Sequence, residues 1–221
     1  MSENRTVGAY HHGDLPATLM DLALEHIARE GTEKLSLRAL AREAGVSPTA
    51  PYRHFPTKRC LLAALATRGF RTLRDINQSV SLSGEDLERS CIRLGMGYIH
   101  FAMENPTAYQ IMFGTVIDDF TPYPELAEAA EQSYAAVRHL IELIMASRPD
   151  LRTSSELLGG AIWAAVHGIA SLAIFGASRE DMEGADVRRP NQALSALLAD
   201  PEQALRILMG GILAPGDGIG D

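Results

Sequence analysis

Apolar side chains recur every three or four positions along almost the whole chain, and the runs stop at residues that end helices, Gly31, Gly45, Pro106 and Gly114 among them. Nowhere do β-branched residues alternate with polar ones for long enough to build a sheet. That rhythm predicts an all-α protein. A first helix is expected from Asp14 as N-cap, with Leu15, Leu19, Leu22, Ala23 and Ile27 on one face, stopping at Gly31. Ser36 caps a short second helix, Leu37 to Ala44; Ser47 caps a third, Pro48 to His54; Thr57 caps a fourth, Lys58 to Asn77. A polar break from Gln78 to Gly84 precedes helices over Glu85 to Glu104, Thr107 to Phe113, Pro122 to Ser147 and Ser154 to Gly176. A charged loop, Ala177 to Pro190, leads to helical segments Asn191 to Ala199 and Pro201 to Met209, with a frayed tail from Gly210. The break divides the chain into residues 1–77 and 78–221, with the fourth helix bridging the two parts.

Hydrophobic residues make up 46% of the 221, enough for a core that needs no staples. Two cysteines, Cys60 and Cys91, are too few and too isolated for a disulfide framework or a structural zinc site, and residues 1–14 are polar with no apolar signal core. Both features point to a reducing cytoplasm. Cys60, beside Lys58 and Arg59 near a helix start, reads as an ordinary small residue ahead of a redox switch. Leu157 to Phe175 is almost uncharged and close to the roughly 20 residues a bilayer span needs. It nevertheless holds Gly159, Gly160, His167, Gly168 and Ser171 and lacks basic residues biased to one flank, so no membrane association is expected and a helix buried in a bundle fits better.

The formal charge of -8 is unevenly divided. Residues 1–75 carry 11 Lys and Arg against 8 Asp and Glu, whereas residues 76–221 carry 9 against 20. Within Ser36 to Cys60, Arg38, Arg42, Arg53, Lys58 and Arg59 face a single acid, Glu43. Phosphate neutralisation needs this kind of local concentration, since charge is screened beyond about 8 Å at physiological salt.

The same segment contains LRALAREAGVSPTAPYRHF, Leu37 to Phe55: two short helices joined by a glycine-centred turn, which is helix-turn-helix geometry. Ala41 and Ala44 are small enough for a close crossing, Gly45 can take a positive φ, and Val46 fills the gap between the helices. The third helix then presents Thr49, Ala50 and Arg53 toward a major groove, with Tyr52, His54 and Lys58 placed for phosphates.

On these residues the chain resembles the TetR family of transcriptional regulators, without a gap from Leu15 to Leu65, and Tyr52, Arg53, His54 and Phe55 followed by Lys58 are the most recognisable part. The resemblance implies a homodimer with an N-terminal helix-turn-helix DNA-binding domain and a larger helical bundle for effector binding and dimerisation. It implies base contacts from Arg38 and Thr49, backbone contacts from Tyr52, His54 and Lys58, and a DNA-facing surface that takes in Ser47, Pro48, Ala50 and Arg53. It further implies dimerisation through the last long helix and the segments Asn191 to Met209; Gly160, Ala164, Gly168 and Ser171 would let a second backbone come close there. The stretch AIWAAVHGIASL, with Trp163, His167 and Gly168, and the opening YHHGDL are similar to a subgroup of these regulators named after such Trp-His-Gly residues. Pro51 departs from the family, which commonly has an apolar residue with a backbone N–H there, usually Leu. Lacking that donor, the third helix is expected to open as a 3₁₀ turn or shift its start.

Elsewhere, Tyr98, Phe101, Met103, Tyr109, Met112, Phe113 and Trp163 read first as core packing. A few should line a cavity, because aromatic and methionine side chains mixed with one or two polar groups suit an apolar pocket between helices. The candidates for a ligand-binding wall are Tyr98, Phe101, Tyr109, Met112, Phe113, Trp163 and His167. His11 and His12 on a polar arm, and His100 with Glu104 four residues on, have no further ligands converging on them, so neither metal nor cofactor is expected. No nucleophile, base and orienter stand at a recognisable spacing, which speaks against an enzyme. The expected function is a ligand-responsive regulator, reading as a repressor that a small, apolar effector releases from a palindromic double-stranded DNA operator. A helical protein-interaction module that has lost operator binding or ligand regulation stays as the alternative.

Overall fold

The computed structural model describes residues 14–80, 82, 86–180 and 192–214, with side chains described for all of these except 175–180. The arm carrying Arg5, His11 and His12, most of the charged loop and the end of the tail lie outside the described residues. Among the described residues every regular element is helical: α1 (Leu15–Glu30), α2 (Leu37–Glu43), a 3₁₀ turn (Ala50–Arg53), α3 (Lys58–Ser79), α4 (Leu87–Glu104), α5 (Pro106–Phe113), α6 (Pro124–Ser147), α7 (Ser155–Glu180), α8 (Gln192–Ala199) and α9 (Pro201–Ile212).

Caps explain most boundaries. Asp14 accepts from Ala17 N–H, Thr57 from Cys60 N–H, Asp86 from Arg89 N–H and Asp200 from Gln203 N–H, each satisfying a donor that the first helical turn cannot. The Asp86 cap starts α4 two residues later than the expected Glu85, and Pro124 rather than Pro122 opens α6. Two expected ends fall short of the observed ones: α7 runs through Gly176 to Glu180, and α9 through Gly210 and Gly211 to Ile212. A helical glycine costs only about 1 kcal/mol, less than the packing on either side supplies.

The first three helical elements surround Leu19, Ala23, Leu40, Ala41 and Phe55, all buried, and the start of α3 closes this core with Leu61, Leu62 and Leu65. Each such leucine contributes about 1.5–3 kcal/mol of burial. Gly45 takes φ 68° in the turn after α2, a backbone that a side chain would strain. Val46 is half-buried beside it, and its N–H reaches Ala41 O at 2.9 Å.

From there α3 continues as a spine into the second part, packed along α5 and α6. Gly69 allows the closest approach: a Cβ there would overlap Met112 Sδ on α5. Ion pairs at the surface add Arg68 to Asp21 at 2.7 Å, Arg71 to Glu125 at 3.2 Å and Arg59 to Asp118 at 2.7 Å. Helix α7 is long and apolar enough to cross a membrane by length and composition. In the fold one of its faces, Leu158, Ile162, Val166, Ile169 and Ala173, is buried, and the helix packs on α4, α6 and α9. The opposite face is open among the described residues: Leu157 and Leu172 are exposed, and no described residue would meet a Cβ at Gly160 or Gly168. Ile207 and Leu208 on α9 are exposed as well.

Candidate functional site

Two places carry chemistry. The first is the outer surface of the helix-turn-helix, where Arg38, Ser47, Pro48, Thr49, Tyr52, Arg53 and His54 are exposed and Ala50 and Lys58 half-buried. Arg38, Arg42 and Arg53 make no ion pair among the described residues, so their guanidinium groups are available to an anion. The other two cations of this segment are partly committed. Arg59 pairs with Asp118, and Lys58 Nζ donates to Glu33 O at 3.1 Å, tying the start of α3 to the loop before α2. Arg42, one of the cations of the basic segment, is not among the contact residues expected from sequence; the fold shows it exposed and without an ion pair in the last turn of α2.

Between these cations the expected helix Pro48 to His54 is reduced to the 3₁₀ turn Ala50–Arg53. The cause is Pro51. An α-helical bond onto Ser47 O would come from the N–H of residue 51, which proline lacks, so Ser47 O accepts instead from Ala50 N at 3.0 Å, three residues on. Ser47 does not cap through its side chain either; its Oγ lies 3.3 Å from Thr49 Oγ1. Pro51 is itself buried, with Phe55, so its ring fills the inward apolar position while Tyr52, Arg53 and His54 stay outward.

The second place is a partly open cavity of about 330 Å³ between α3, α4, α5, α6 and α7, within the range of small-molecule sites. Tyr98, Met112, Phe113 and Trp163 line it, as do Phe70 and Leu73 of α3. The other three expected wall residues stand elsewhere. Phe101 is turned into the core at 2% exposure, and Tyr109 and His167 form a layer behind Tyr98. Met103, read as core, is half-exposed.

That layer is a polar chain inside an aromatic cluster. Tyr98 hydroxyl donates to Tyr109 hydroxyl at 3.4 Å, and both hydroxyls lie near His167 Nδ1, at 2.9 and 2.7 Å. With Nδ1 as acceptor, His167 is the neutral Nε2–H tautomer. Its ring stacks on Tyr109 at 5.4 Å and on Trp163 at 4.8 Å between centroids. Burial lowers its proton affinity, raises the Tyr98 phenol well above its ordinary value and raises that of Tyr109, so all three groups favour their neutral forms.

Asn77, Phe120, Tyr134 and Ile141 also line the cavity and were not anticipated. Asn77 closes a helix in the sequence and reads as a boundary residue; only the packing of α3 on α6 buries it, with Nδ2 donating to Ser133 O at 2.9 Å. Among the described residues no group of three or more His, Cys, Asp or Glu is placed to hold a metal ion.

Compared with known proteins, residues 19–65 match a family model described as bacterial regulatory proteins of the tetR family, and residues 91–200 one described as a tetracyclin repressor-like C-terminal domain. YobS of Bacillus subtilis (strain 168), an uncharacterized HTH-type transcriptional regulator, is 31% identical over 103 residues, 47% of this chain and 53% of that protein. The chain thus matches about half the length of this curated relative. A solved protein with unknown function from Rhodococcus sp. RHA1 is 27% identical with a TM-score of 0.67 across 90% of this chain and 96% of its own. The TetR family transcriptional regulator PfmR of Thermus thermophilus, 17% identical, shares the fold with a TM-score of 0.59 over 85% and 97% of the two chains.

Proposed function

Because this chain belongs to the TetR family of bacterial regulators, we propose that it is a cytoplasmic repressor which binds a palindromic DNA operator as a homodimer and is released by a small molecule held in the α3–α7 cavity. Residues 1–77 carry the DNA-reading surface and, at the far end of α3, part of the cavity wall, while residues 78–221 supply the rest of the wall and pair the subunits. The observation that carries this reading is the set of exposed, unpaired arginines, Arg38, Arg42 and Arg53, around an outward-facing turn that also shows Thr49, Tyr52 and His54. Two such surfaces related by a two-fold axis would meet half-sites about 34–36 Å apart, one turn of the duplex. The open face of α7, Leu157, Gly160, Ala164, Gly168 and Leu172, with Ile207 and Leu208 of α9, supports pairing there. Effector action fits α3, which carries Phe70 and Leu73 in the cavity wall and Lys58 at the edge of the reading surface.

Gel-shift titration against DNA from the protein's own promoter region tests the reading. Arg53→Ala is expected to weaken binding and to lower the slope of log affinity against log salt by about 1, the signature of one lost phosphate contact. Arg59→Ala, whose charge is spent on Asp118, should change the slope far less. Equal slopes for both variants and the unaltered chain, or a monomer indifferent to every duplex, would overturn the proposal.

A further inference from the structure

The chemistry of the cavity narrows what it takes, an inference that rests on the effector reading above. Among the described residues none that lines it is Lys, Arg, His, Asp or Glu. A charged ligand would therefore enter without a counter-charge, and an uncompensated buried ion is heavily penalised. The polar groups of the wall are nearly all spent. Ser133 Oγ donates to Ala130 O at 2.7 Å, Tyr98 hydroxyl is held in the Tyr109 and His167 chain, and Cys91 Sγ meets Met209 Sδ at 3.5 Å.

Two side chains are not: Tyr134, half-buried with its hydroxyl beside Gly159, and Asn77, the more deeply buried of the two. Asn77 is 4% exposed, and its Nδ2 is committed to a carbonyl, Ser133 O, which can only accept. That contact fixes the orientation of the amide and leaves Oδ1, which accepts no hydrogen bond among the described residues, as the free acceptor of a cavity-lining side chain. A buried acceptor of this kind gains from a donor supplied by the occupant. Size follows from volume. A cavity of about 150 Å³ accommodates benzene, so 330 Å³ has room for about a dozen non-hydrogen atoms.

We propose that the cavity binds an uncharged molecule of about a dozen non-hydrogen atoms, apolar over most of its surface, with one hydroxyl or N–H donating to Asn77 Oδ1. Asn77 is thus the residue that sets specificity. Because it stands on α3, the donor's bond is made to the same helix that leads to the DNA-reading surface.

Trp163, the single tryptophan of the chain, lines the cavity and reports occupancy by fluorescence in the full-length protein without DNA. Three probes of one shape separate the possibilities: 4-phenylphenol, biphenyl and biphenyl-4-carboxylate. The phenol is expected to bind saturably, with biphenyl about fivefold weaker for want of one hydrogen bond. The carboxylate should be about a hundredfold weaker or more at pH 7, since it must first take up a proton. Asn77→Leu, checked for helicity by circular dichroism, should bring the phenol down to biphenyl while leaving biphenyl unchanged; if that variant does not fold, the unaltered chain's preference for phenol over biphenyl decides the same point. A carboxylate bound as well as the phenol, a phenol-to-biphenyl ratio near unity, or no saturable binding of any probe would each overturn the assignment. Operator binding is measured separately, so retained gel shifts with the wrong probe preference sink this inference alone, whereas lost gel shifts sink the regulatory reading.

Discussion

Gly69→Ala probes the contact through which α3 and the cavity wall are joined. Two opposing effects follow from the structure. Alanine in place of a helical glycine favours α3 by about 1 kcal/mol. Its Cβ, however, would overlap Met112 Sδ, and Met112 is buried at 3% exposure, so the wall must give way at about 1–3 kcal/mol, the usual range for overpacking a core. The expected net loss is about 0–2 kcal/mol. For a chain of this length each kcal/mol moves the melting temperature by about 2–4 °C. The net change alone is a poor test, because the two effects nearly cancel; a double-mutant cycle with Met112→Ala isolates the contact. Met112→Ala by itself should cost about 2–5 kcal/mol. In the double variant the added methyl enters the space the methionine vacates, so the combined loss should fall below the sum of the single losses by about 1 kcal/mol or more. Urea denaturation of the four proteins gives the coupling directly. Additivity within about 0.5 kcal/mol would refute the claim that Gly69 exists to seat Met112.

Two further outcomes are expected. Pro51→Leu restores the N–H that Ser47 O lacks, so the 3₁₀ turn should lengthen into an α-helix and the new amide at position 51 should be protected from hydrogen exchange; rapid exchange there would mean that something other than proline shortens the turn. Burial lowers the proton affinity of His167, so the folded chain binds fewer protons than the unfolded one as pH drops through the ordinary imidazole range near 6.5. Its contribution to stability is therefore complete above about pH 6.5 and is lost as pH falls through the lowered value, while protonation also removes the Nδ1 acceptor from Tyr109. Urea midpoints at pH 7.5 and 5.5 should drift apart less in His167→Gln than in the unaltered chain, and equal drifts would contradict the assignment.

What the sequence disclosed and what it withheld divide along the range of the forces involved. Helix positions depend on neighbours three or four residues away, and the caps at Asp14, Thr57 and Asp200 stand where local hydrogen bonding predicts them. The effect of Pro51 is also local, and its 3₁₀ turn could be anticipated from one missing donor. The cavity wall could be anticipated only in part. Tyr98, Met112, Phe113 and Trp163 announced themselves by type, but Phe101 and Tyr109 look the same in sequence and face other ways. Asn77 was invisible for the complementary reason: a polar residue at a helix end is ordinary until α6, more than fifty residues later, covers it. Likewise Arg59 resembles its neighbouring cations until Asp118 arrives to neutralise it.

The size of the proposed ligand constrains how many are needed. Swinging a two-state regulator from 1:99 to 99:1 takes about 5.5 kcal/mol of differential binding. A molecule of a dozen non-hydrogen atoms, at a drug-like value of about 0.3 kcal/mol per atom, offers about 4 kcal/mol in total, and part of that is spent equally on both states. At that per-atom value one occupied cavity falls short of full release, whereas two in a symmetric dimer offer about 8 kcal/mol in total, enough if no more than about a third of it is spent equally on both states. On this arithmetic the proposed dimerisation along α7 would serve more than the spacing of half-sites; it would double the free energy available to a small neutral effector. Operator release should then rise with ligand more steeply than a single-site curve, with a Hill coefficient between about 1 and 2, and should need both cavities filled. Complete release at one ligand per dimer, measured by titrating operator-bound protein at concentrations far above the dissociation constant, would show that each ligand binds with more free energy per atom than the drug-like value, and would refute the need for two.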